Sequence, residues 1–340
     1  MSTAKAWIYT TPGYPQTLRL DETQVPAEPS PHHVLIHIKA NALNPVDIQL
    51  MNLFINAVPG FRGPKIAGRD FSGVVLAAAP GTAFNKGDEV MGVTLGIDGS
   101  GALVEVAHLD TRSSCIVKKP SHMTWNQAAS LPLVWLTAYT AIEKCAPFMK
   151  KSPAGENKIA ILGGSSSTGI YSIWLARQRG WKVFTSCSGR NRDFVKQKGA
   201  EDVMDYTTSP DAVTSTVAGF KPDAIIDCVG GTECIGLAPQ YVTIVGDKTS
   251  RASIGGSILY YSYPRMYMRW LLGYVGWGNS YECIILQTEK TWLEKAGELG
   301  DRDIVIDSVF EFGEVKDAFE RLDTGRARGK VVVSMVWMTG

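Results

Sequence analysis

The hydrophobic pattern of the first 120 residues is one of short apolar runs separated by glycine and proline. Apolar runs occur at residues 34–38, 72–76, 89–93 and 103–106. Between them lie turn sequences such as Pro80-Gly81 and Lys86-Gly87-Asp88. Strands this short, with such turns between them, predict a compact all-β unit. After Pro120 the pattern changes, and residues 125–144 predict helices interrupted at Pro132.

From residue 158 onward, apolar strands alternate with helical segments. The predicted strands lie at residues 159–162, 182–185, 202–204, 224–227 and 241–245. Near-continuous apolar strands separated by helices indicate a parallel sheet covered on both faces. The chain returns to β character at 305–306 and 331–333, around a helix over 315–322. We therefore expect an α/β protein in which a doubly wound domain (residues 123–285) is inserted into a β-rich domain (residues 1–122 with 286–340).

Composition excludes several classes of protein. The chain has 340 residues, is 45% hydrophobic, and carries 34 Lys and Arg against 33 Asp and Glu, for a formal charge of +1. A nucleic-acid binder needs a concentrated basic face, so nucleic acid is not an expected partner. No stretch reaches about 18 uncharged apolar residues, and the first residues lack a secretory pattern. We expect a cytoplasmic protein without a transmembrane segment.

The six cysteines predict neither a disulfide framework nor a zinc ribbon. They are Cys115, Cys145, Cys187, Cys228, Cys234 and Cys283. None forms a C-x-x-C pair, and the spacing is too wide for a finger or ribbon site. Ordinary reduced cysteines are the expectation.

A turn rich in glycine and serine follows the first strand of the doubly wound region. It comprises Gly163, Gly164, Ser165, Ser166, Ser167, Thr168 and Gly169, and a helix follows it. Small residues between a buried strand and a helix let backbone N–H groups approach a pyrophosphate. The strict G-x-G-x-x-G spacing is not met, but the hydroxyls that replace glycine can donate to phosphate. A plain structural turn is the alternative interpretation.

The end of the second strand favours NADPH over NADH. An NAD enzyme is expected to place an acidic side chain there for the ribose 2′-hydroxyl, and none occurs before Asp193. Ser188, with Arg190 or Arg192, suits a 2′-phosphate because arginine forms charge-assisted hydrogen bonds to it. A solvated basic loop is the alternative.

These segments and several others occur in an order that resembles one protein family. They lie at residues 44–47, 68–75, 86–90, 128–132, 136–139, 163–169, 198–200, 205–206, 227–230 and 328–332. Over nearly the whole chain this order resembles the zinc-independent branch of the medium-chain dehydrogenase/reductase superfamily, especially quinone-oxidoreductase-like proteins and fungal trans-acting enoyl reductases. The resemblance implies a GroES-like β-rich catalytic domain and a Rossmann domain that binds NADPH.

The chain departs from the zinc alcohol dehydrogenases at their metal ligands. It has Asn44 where they have cysteine, and Gly68-Arg69-Asp70 where they have Gly-His-Glu. Their four-cysteine lobe has no counterpart. A catalytic zinc needs three protein ligands and an open position, so no metal is expected.

The resemblance also implies which residues form the site. Asn44 would lie beside the nicotinamide, and Thr137 and Tyr139 would line the cleft between the domains; these three are the catalytic candidates. The remaining cofactor-binding candidates are Ser188, Arg190, Asn191 and Tyr206 around the adenosine phosphate, with Gly230, Gly246 and Lys330 nearby. Mitochondrial relatives carry a candidate proton-donating tyrosine after the Asn-Pro turn, where this chain has residues 53–56. Tyr139 is the substitute, with a packing role as its alternative, and the alternative for Asn44 is a turn former before proline.

Residues 257–283 form an unusually aromatic segment. It contains Tyr260, Tyr261, Tyr263, Tyr267, Trp270, Tyr274, Trp277 and Tyr281, together with Arg265 and Arg269. Three interpretations stay open: a wall around a flat or lipophilic substrate, a membrane-surface patch, and core packing against the sheet.

Together these features predict an NADPH-dependent reductase that delivers hydride to an activated C=C bond or to a quinone without a metal. Such an acceptor needs only a hydrogen-bond donor or ordered water for the developing oxygen charge. The alternative is a non-redox auxiliary protein, a cyclase or binding protein, that uses the aromatic segment as a pocket. We expect the substrate to be a small-molecule or carrier-bound enone or quinone, and the reaction to be a step in secondary metabolism. We expect the protein to be a monomer or homodimer.

Overall fold

The protein folds into two compact units. The computed structural model describes residues 2–53, 62–96, 99–149, 156–209, 212–247 and 263–335. The β-rich unit contains the described residues of Met1–Leu133 and Thr288–Gly340, and the α/β unit contains those of Val134–Ala252 and Ile258–Gln287. The domain boundaries expected from sequence, at 122/123 and 285/286, stay a prediction.

The helices and strands follow one another in three stretches of chain. The first contains β1 (Ser2–Tyr9), β2 (Arg19–Val25), β3 (His33–Ala42), α1 (Pro45–Met51), β4 (Lys65–Ile66), β5 (Asp70–Ala78), β6 (Glu89–Thr94), β7 (Val106–Asp110), β8 (Ser114–Lys118) and α2 (Trp125–Ala129). The second contains α3 (Pro132–Met149), β9 (Lys158–Leu162), α4 (Ser167–Gln178), β10 (Lys182–Cys187), α5 (Arg192–Lys198), β11 (Asp202–Asp205), α6 (Ala212–Phe220), β12 (Ala224–Asp227), β13 (Gln240–Thr243), α7 (Pro264–Tyr274) and β14 (Ser280–Cys283). The third contains α8 (Lys290–Glu294), β15 (Ile306–Glu311), α9 (Val315–Asp323) and β16 (Lys330–Ser334).

The β-rich unit is built on a sheet of order β15-β16-β3-β5-β6-β8, with β7 also pairing with β3. Strand β16 runs antiparallel to β3, with Val332 opposite Ala42. Since β16 begins at Lys330 and β3 ends at Ala42, this pairing brings the start of β16 beside the turn that leads into α1. Alternating apolar residues of the strands, among them Ile36, Ile38 and Phe71, form the core; burial of such side chains is the main stabilising term in a unit of this kind.

The α/β unit contains a parallel sheet of order β11-β10-β9-β12-β13-β14. In chain order this is 3-2-1-4-5-6, the arrangement in which ligands bind at the carboxyl ends of the strands, where the order reverses. Strands β9, β10 and β12 end next to one another, because Leu162 is in register with both Ser186 and Asp227. The predicted α/β class with a doubly wound parallel sheet is confirmed.

Candidate functional site

The turn between β9 and α4 has no space for side chains at its glycines. Gly163 has φ +81°, and a Cβ atom there would lie 2.3 Å from Val229 Cγ1. A Cβ on Gly164 would lie 2.1 Å from Thr185 Oγ1, and one on Gly169 would lie 2.4 Å from the Gly163 carbonyl oxygen. Glycine is therefore required at these three positions, and the backbone of the turn passes close to its neighbours.

The same turn leads directly into the first turn of α4. Ser166 is the N-cap residue of this 12-residue helix, and its Oγ accepts a hydrogen bond from the Gly169 N–H at 3.1 Å. Gly163 and Gly164 also donate their N–H groups to the Ser186 carbonyl. The start of a helix carries the positive end of its dipole, and a phosphate is stabilised there.

The loop after β10 is tied to the glycine turn through Asn191. The buried Asn191 side chain donates from Nδ2 to Ser165 Oγ at 3.1 Å and to Ser188 Oγ at 3.2 Å. Because each hydroxyl accepts from Asn191, its own proton remains for donation to another acceptor such as a phosphate oxygen. Arg190 lies exposed on this loop. The structure thus brings Ser165, Ser188, Arg190 and Asn191 together.

Asp205 and Tyr206, at the end of the neighbouring strand β11, border this loop. Cys187 and Asp205 are in register, and the Tyr206 N–H donates to the Cys187 carbonyl at 3.2 Å. The Tyr206 side chain is 40% exposed. Hydrogen bonds from the Thr207 hydroxyl and N–H lower the pKa of Asp205, with a smaller contribution from the Gly189 N–H. The Asp205 carboxylate therefore accepts hydrogen bonds from its own loop.

A buried carboxylate holds the turn after β12. Asp227 Oδ1 accepts the N–H groups of Val229 and Gly230 at 3.0 and 2.9 Å, and Oδ2 accepts the Thr243 hydroxyl at 3.0 Å. Burial raises the pKa of Asp227, while these hydrogen bonds act in the opposite direction. The turn carries Gly230 at φ +88°, and Gly246 adopts φ +65° after β13. Asp227 fixes Val229 against Gly163, a role that sequence reasoning missed although the acid ends a buried strand.

The β-rich unit buries a second polar cluster around Asn44. Lys330 Nζ lies 2.5 Å from Asn44 Oδ1 and 3.0 Å from Asp70 Oδ2. Asn44 Nδ2 donates to Asp70 Oδ2 at 2.9 Å and to the Ala42 carbonyl at 3.3 Å. Asp70 Oδ1 accepts the Leu133 N–H at 2.8 Å. Two predicted site residues, Asn44 and Lys330, are therefore in direct contact, and the orientation of the Asn44 amide is fixed by a positive and a negative group.

Asp47 and Arg69 are buried near this cluster. Asp47 is 3% exposed; its Oδ2 accepts the Asn44 N–H at 2.7 Å, and within the described part of the chain Oδ1 has no hydrogen-bond partner. Burial raises the pKa of Asp47 to about 7, and the Arg69 charge opposes this shift. Arg69 donates to the carbonyls of Thr94 and Gly96. Where zinc alcohol dehydrogenases carry Cys and His-Glu, this chain thus has the engaged Asn44 amide, the Arg69 guanidinium, which cannot ligate zinc, and the Asp70 carboxylate paired with Lys330.

The remaining catalytic candidates lie on α3. Tyr139 is 6% exposed, and its ring packs between Trp135, at 6.1 Å between ring centroids, and the Arg179 guanidinium, 5.8 Å from the centroid. Thr137 is half-buried. The packing interpretation of Tyr139 has direct contacts to support it, and a catalytic role for either residue stays a prediction.

The aromatic segment is divided between exposed and buried side chains. Tyr260 and Tyr261 lie outside the described residues. Tyr281 is 3% exposed, and its hydroxyl donates to Asp247 Oδ1 at 2.8 Å. The exposed members are Tyr263, Tyr267, Trp270, Tyr274 and Trp277. Core packing therefore accounts for Tyr281 but not for these five residues.

The described ranges contain no group of three or more His, Cys, Asp or Glu side chains placed to hold a metal ion. They also contain no helix with the length and hydrophobicity needed to cross a bilayer.

Comparison with known proteins identifies the family. Residues 30–121 match the alcohol dehydrogenase GroES-like domain, and residues 198–333 match the zinc-binding dehydrogenase family. A chloroplast envelope quinone oxidoreductase homolog from Arabidopsis thaliana is 31% identical over 92% of this chain and 93% of its own length. A mitochondrial NAD(P)H oxidoreductase from Homo sapiens is 29% identical over 97% of this chain and 89% of its own length.

A solved structure shows the same architecture. The quinone oxidoreductase from Coxiella burnetii superposes with a TM-score of 0.79 at 27% identity, covering 98% of this chain and all of the other. The resemblance and the GroES-like plus Rossmann fold expected from sequence are confirmed. The chain belongs to the quinone-oxidoreductase-like group of the medium-chain dehydrogenase/reductase superfamily, a group of NAD(P)H-dependent oxidoreductases.

Proposed function

We propose that this protein is a reductase that uses NADPH to deliver hydride to a quinone or to an activated C=C bond, without a metal ion. The observation that carries the proposal is the glycine turn after β9, joined through Asn191 to the Ser188–Arg190 loop. This arrangement offers one place for a pyrophosphate and, beside it, hydroxyl and guanidinium donors for a further phosphate. The coarser statement, an NAD(P)H-dependent oxidoreductase, follows from the family.

The residues of the α/β unit fit a dinucleotide. At Gly163, Gly164 and Gly169 a Cβ atom would collide with the protein, and a backbone packed this closely can approach a pyrophosphate at the start of α4. We assign Gly163, Gly164, Ser165, Ser166, Ser167 and Thr168 to the pyrophosphate and Ser188, Arg190, Asn191 and Tyr206 to the adenosine phosphate. Gly230 and Gly246 belong under the cofactor, and Lys330 to its nicotinamide side.

Preference for NADPH rests on the charges at the ends of β10 and β11. Strand β10 ends in Cys187 and is followed by Ser188, so no carboxylate occupies the position from which NAD enzymes contact the 2′-hydroxyl. Asp205, the nearby acid, accepts hydrogen bonds from Thr207. Arg190 is exposed on the loop and can pair with a doubly charged phosphate.

The β-rich unit supplies the polar environment for the reaction. Bound NADPH supplies the hydride. The Asn44 amide lies between Asp70 and Lys330, and its Nδ2 donates to the Ala42 carbonyl and to Asp70 Oδ2. Asn44 Oδ1 accepts from the Lys330 ammonium, and the Asn44 side chain also caps α1 in a capping box with Asp47. We assign Asn44 a positioning role beside the nicotinamide, in addition to its place as the N-cap of α1.

The chemistry of the side chains at positions 44 and 69 supports the proposal that the reaction needs no metal ion. Without a Lewis acid, the acceptor must already be electrophilic, as quinones and α,β-unsaturated carbonyls are. The negative charge that develops on the acceptor oxygen needs a hydrogen-bond donor. Of the two candidates, Thr137 is more exposed than Tyr139, and we therefore place the donor role on Thr137 before Tyr139.

Cofactor titration followed by turnover tests this proposal. We expect the purified protein to bind NADPH more tightly than NADH and, after chelator treatment, to oxidise NADPH with a benzoquinone or an enone. Arg190→Ala should weaken NADPH binding about tenfold and leave NADH binding unchanged. Lys182→Ala, at the amino end of β10, is the matched control and should change neither. Equal affinity for the two cofactors, or activity that returns only with added zinc, would contradict the proposal.

A further inference from the structure

Helix α7 and the turn after it present apolar side chains to solvent around most of their circumference. The exposed fractions are 46% for Tyr263, 61% for Tyr267, 57% for Met268, 49% for Trp270, 47% for Leu271, 36% for Leu272, 79% for Tyr274, 48% for Val275 and 84% for Trp277. Single exposed apolar residues are ordinary on protein surfaces, but a contiguous patch marks a contact surface. We call residues 263–277 the aromatic patch.

A narrow stripe attaches the patch to the α/β unit. Met266 is 5% exposed and belongs to the core of this unit. Arg269 forms two hydrogen bonds to the buried Asp247 carboxylate at 2.7 and 2.5 Å. A Cβ on Gly273 would lie 2.9 Å from the Asn279 carbonyl oxygen beside β14. Positions 266, 269 and 273 recur at helical spacing, so this face is fixed on the sheet while the others point away from it.

Helix α9 shows what a surface helix of this protein ordinarily looks like. Its buried residues Val315, Ala318, Phe319 and Leu322 recur every three to four positions. The outward positions carry charge, as at Lys316, Asp317 and Glu320. An amphipathic surface helix is expected to follow this pattern. Helix α7 departs from it because its outward positions are tyrosine, tryptophan, leucine and methionine.

An ordered turn holds Trp277 at the end of the patch. The Trp277 N–H donates to the Leu272 carbonyl at 2.9 Å, and the Gly276 N–H donates to the Gly273 carbonyl at 3.2 Å. Gly276 has φ +77°, the left-handed conformation that ends many helices. The most exposed aromatic ring of the patch is thus carried by hydrogen-bonded backbone.

The charge of the patch indicates what covers it. From Tyr263 to Tyr281 the sequence contains Arg265 and Arg269 and no aspartate or glutamate. Arg269 is neutralised by Asp247, whereas Arg265 is exposed and gives the patch a net positive charge. Tryptophan and tyrosine favour the headgroup region of bilayers, and arginine there is attracted to anionic lipids. A second copy docked through the same patch would add a second Arg265 to the interface, and residues 263–281 offer no acidic partner for it.

We propose that the aromatic patch binds the surface of an anionic lipid bilayer, with Trp270, Tyr274 and Trp277 in the headgroup region and Arg265 on lipid phosphate. The protein then lies on the membrane rather than across it. This surface is separate from the dinucleotide residues assigned above, and the inference does not depend on the reaction proposed for them.

Vesicle flotation with the full chain tests the inference. Vesicles of phosphatidylcholine alone are compared with vesicles containing about 30% phosphatidylglycerol, at low and high salt. We expect binding to the anionic vesicles, weaker binding to the neutral ones, and a decrease with salt. The double variant Trp270→Ser/Trp277→Ser should lose at least about tenfold in partition coefficient. Arg265→Glu should reduce binding to the anionic vesicles several-fold.

The control removes exposed apolar side chains from a different part of the molecule. Leu20→Ser and Val309→Ser change residues that are 44% and 49% exposed in the β-rich unit, and their binding should equal that of the wild type. Circular dichroism and NADPH affinity should be unchanged in all variants. Failure of the wild type to bind anionic vesicles, or equal binding by the double tryptophan variant, would overturn the inference. So would sedimentation showing a dimer that Trp277→Ser dissociates, because the patch would then be covered by a second copy.

Discussion

Each unit buries one aspartate completely, and the two units satisfy it in different ways. Asp70 of the β-rich unit contacts the Lys330 ammonium, the Asn44 amide and the Leu133 N–H. Asp227 of the α/β unit is held by two backbone N–H groups and the Thr243 hydroxyl. The first arrangement needs a counterion from a strand distant in sequence, whereas the second uses neutral donors from the turn that follows the acid and from Thr243 on β13.

This difference determines which substitutions will destabilise each unit. A counterion can be removed by a single substitution, and the charge left behind is then buried without compensation. Every substitution except proline keeps a backbone donor, so a substitution acts here on the acid itself or on a side-chain donor such as Thr243. The acid of the β-rich unit thus fixes a side chain, Asn44, while that of the α/β unit fixes backbone, the turn at Gly230.

The largest expected effect comes from Lys330→Met. It leaves the Asp70 carboxylate buried without its counterion, and we expect the free energy of unfolding to fall by about 3–5 kcal/mol. Urea denaturation measures this loss. The double variant Asp70→Leu/Lys330→Met removes both charges and should recover most of the stability. A single variant as stable as the wild type would show that Asp70 does not need the lysine.

A third buried acid, Asp47, sharpens the comparison because one of its oxygens has no partner among the described residues. Its pKa is raised from 3.8 to about 7. The folded chain therefore binds more protons than the unfolded chain between these pH values, and the free energy of unfolding should fall as pH rises from about 4 to about 7. The loss at pH 8 reaches at most about 4 kcal/mol.

Asp47→Asn tests this dependence by denaturation at several pH values. The amide cannot ionise, so the difference in stability between variant and wild type should grow in favour of the variant as pH rises through this window. A difference that is constant with pH would contradict the raised pKa. Asp110→Asn is a useful comparison, because the Arg112 side chain lowers the pKa of Asp110. The wild type should gain on this variant only as pH rises toward about 4, and the difference should stay constant through the Asp47 window.

Asp227→Ala should destabilise the α/β unit by about 3 kcal/mol, because two backbone N–H groups and a hydroxyl lose their acceptor in a buried position. It should also weaken NADPH binding, since Val229 would no longer be held against the glycine turn. Asp227→Asn keeps one acceptor oxygen and should lose less of both. Calorimetry with and without NADPH measures the two effects. An alanine variant with wild-type NADPH affinity would separate this turn from the cofactor site.

The smallest loss of stability is expected at Ser166, where the acceptor of a backbone N–H is a hydroxyl and not a carboxylate. Ser166→Ala removes the cap of α4 and should lower the free energy of unfolding by about 1 kcal/mol. Ser215→Ala, which removes an exposed hydroxyl bonded within α6, serves as its control and should change stability little. If both variants lost the same amount, the hydrogen bond from Gly169 to Ser166 would contribute nothing measurable.

The sequence predicts those parts of the fold and site that depend on local pattern. The alternation of apolar strands and helices after residue 158 was sufficient to predict the parallel sheet. The glycine turn could be recognised because strand, small residues and helix are contiguous in the chain. The contact of Lys330 with Asp70 depends on the pairing of β16 with β3, and no local pattern of apolar residues predicts a pairing across so many residues.

Burial was harder to predict than secondary structure. The packing of Tyr139 depends on Arg179, which arrives from the end of α4, 40 residues later in the chain. The aromatic patch is apolar around most of its circumference, which in a sequence is as typical of a buried helix as of a membrane-facing one. The position of Arg269 against Asp247 decides which face meets the sheet, and only the three-dimensional arrangement shows it.

The pairing of β16 with β3 has a consequence for biosynthesis. Asp70 and Lys330 are separated by 260 residues, and Asn44 and Lys330 by 286. As the ribosome makes the chain, Asn44 and Asp70 emerge long before their cationic partner, and the whole α/β unit can fold in the interval. The β-rich unit therefore completes its interior only after β16 has been translated, and until then nascent chains expose an acid that a chaperone or protease can reach.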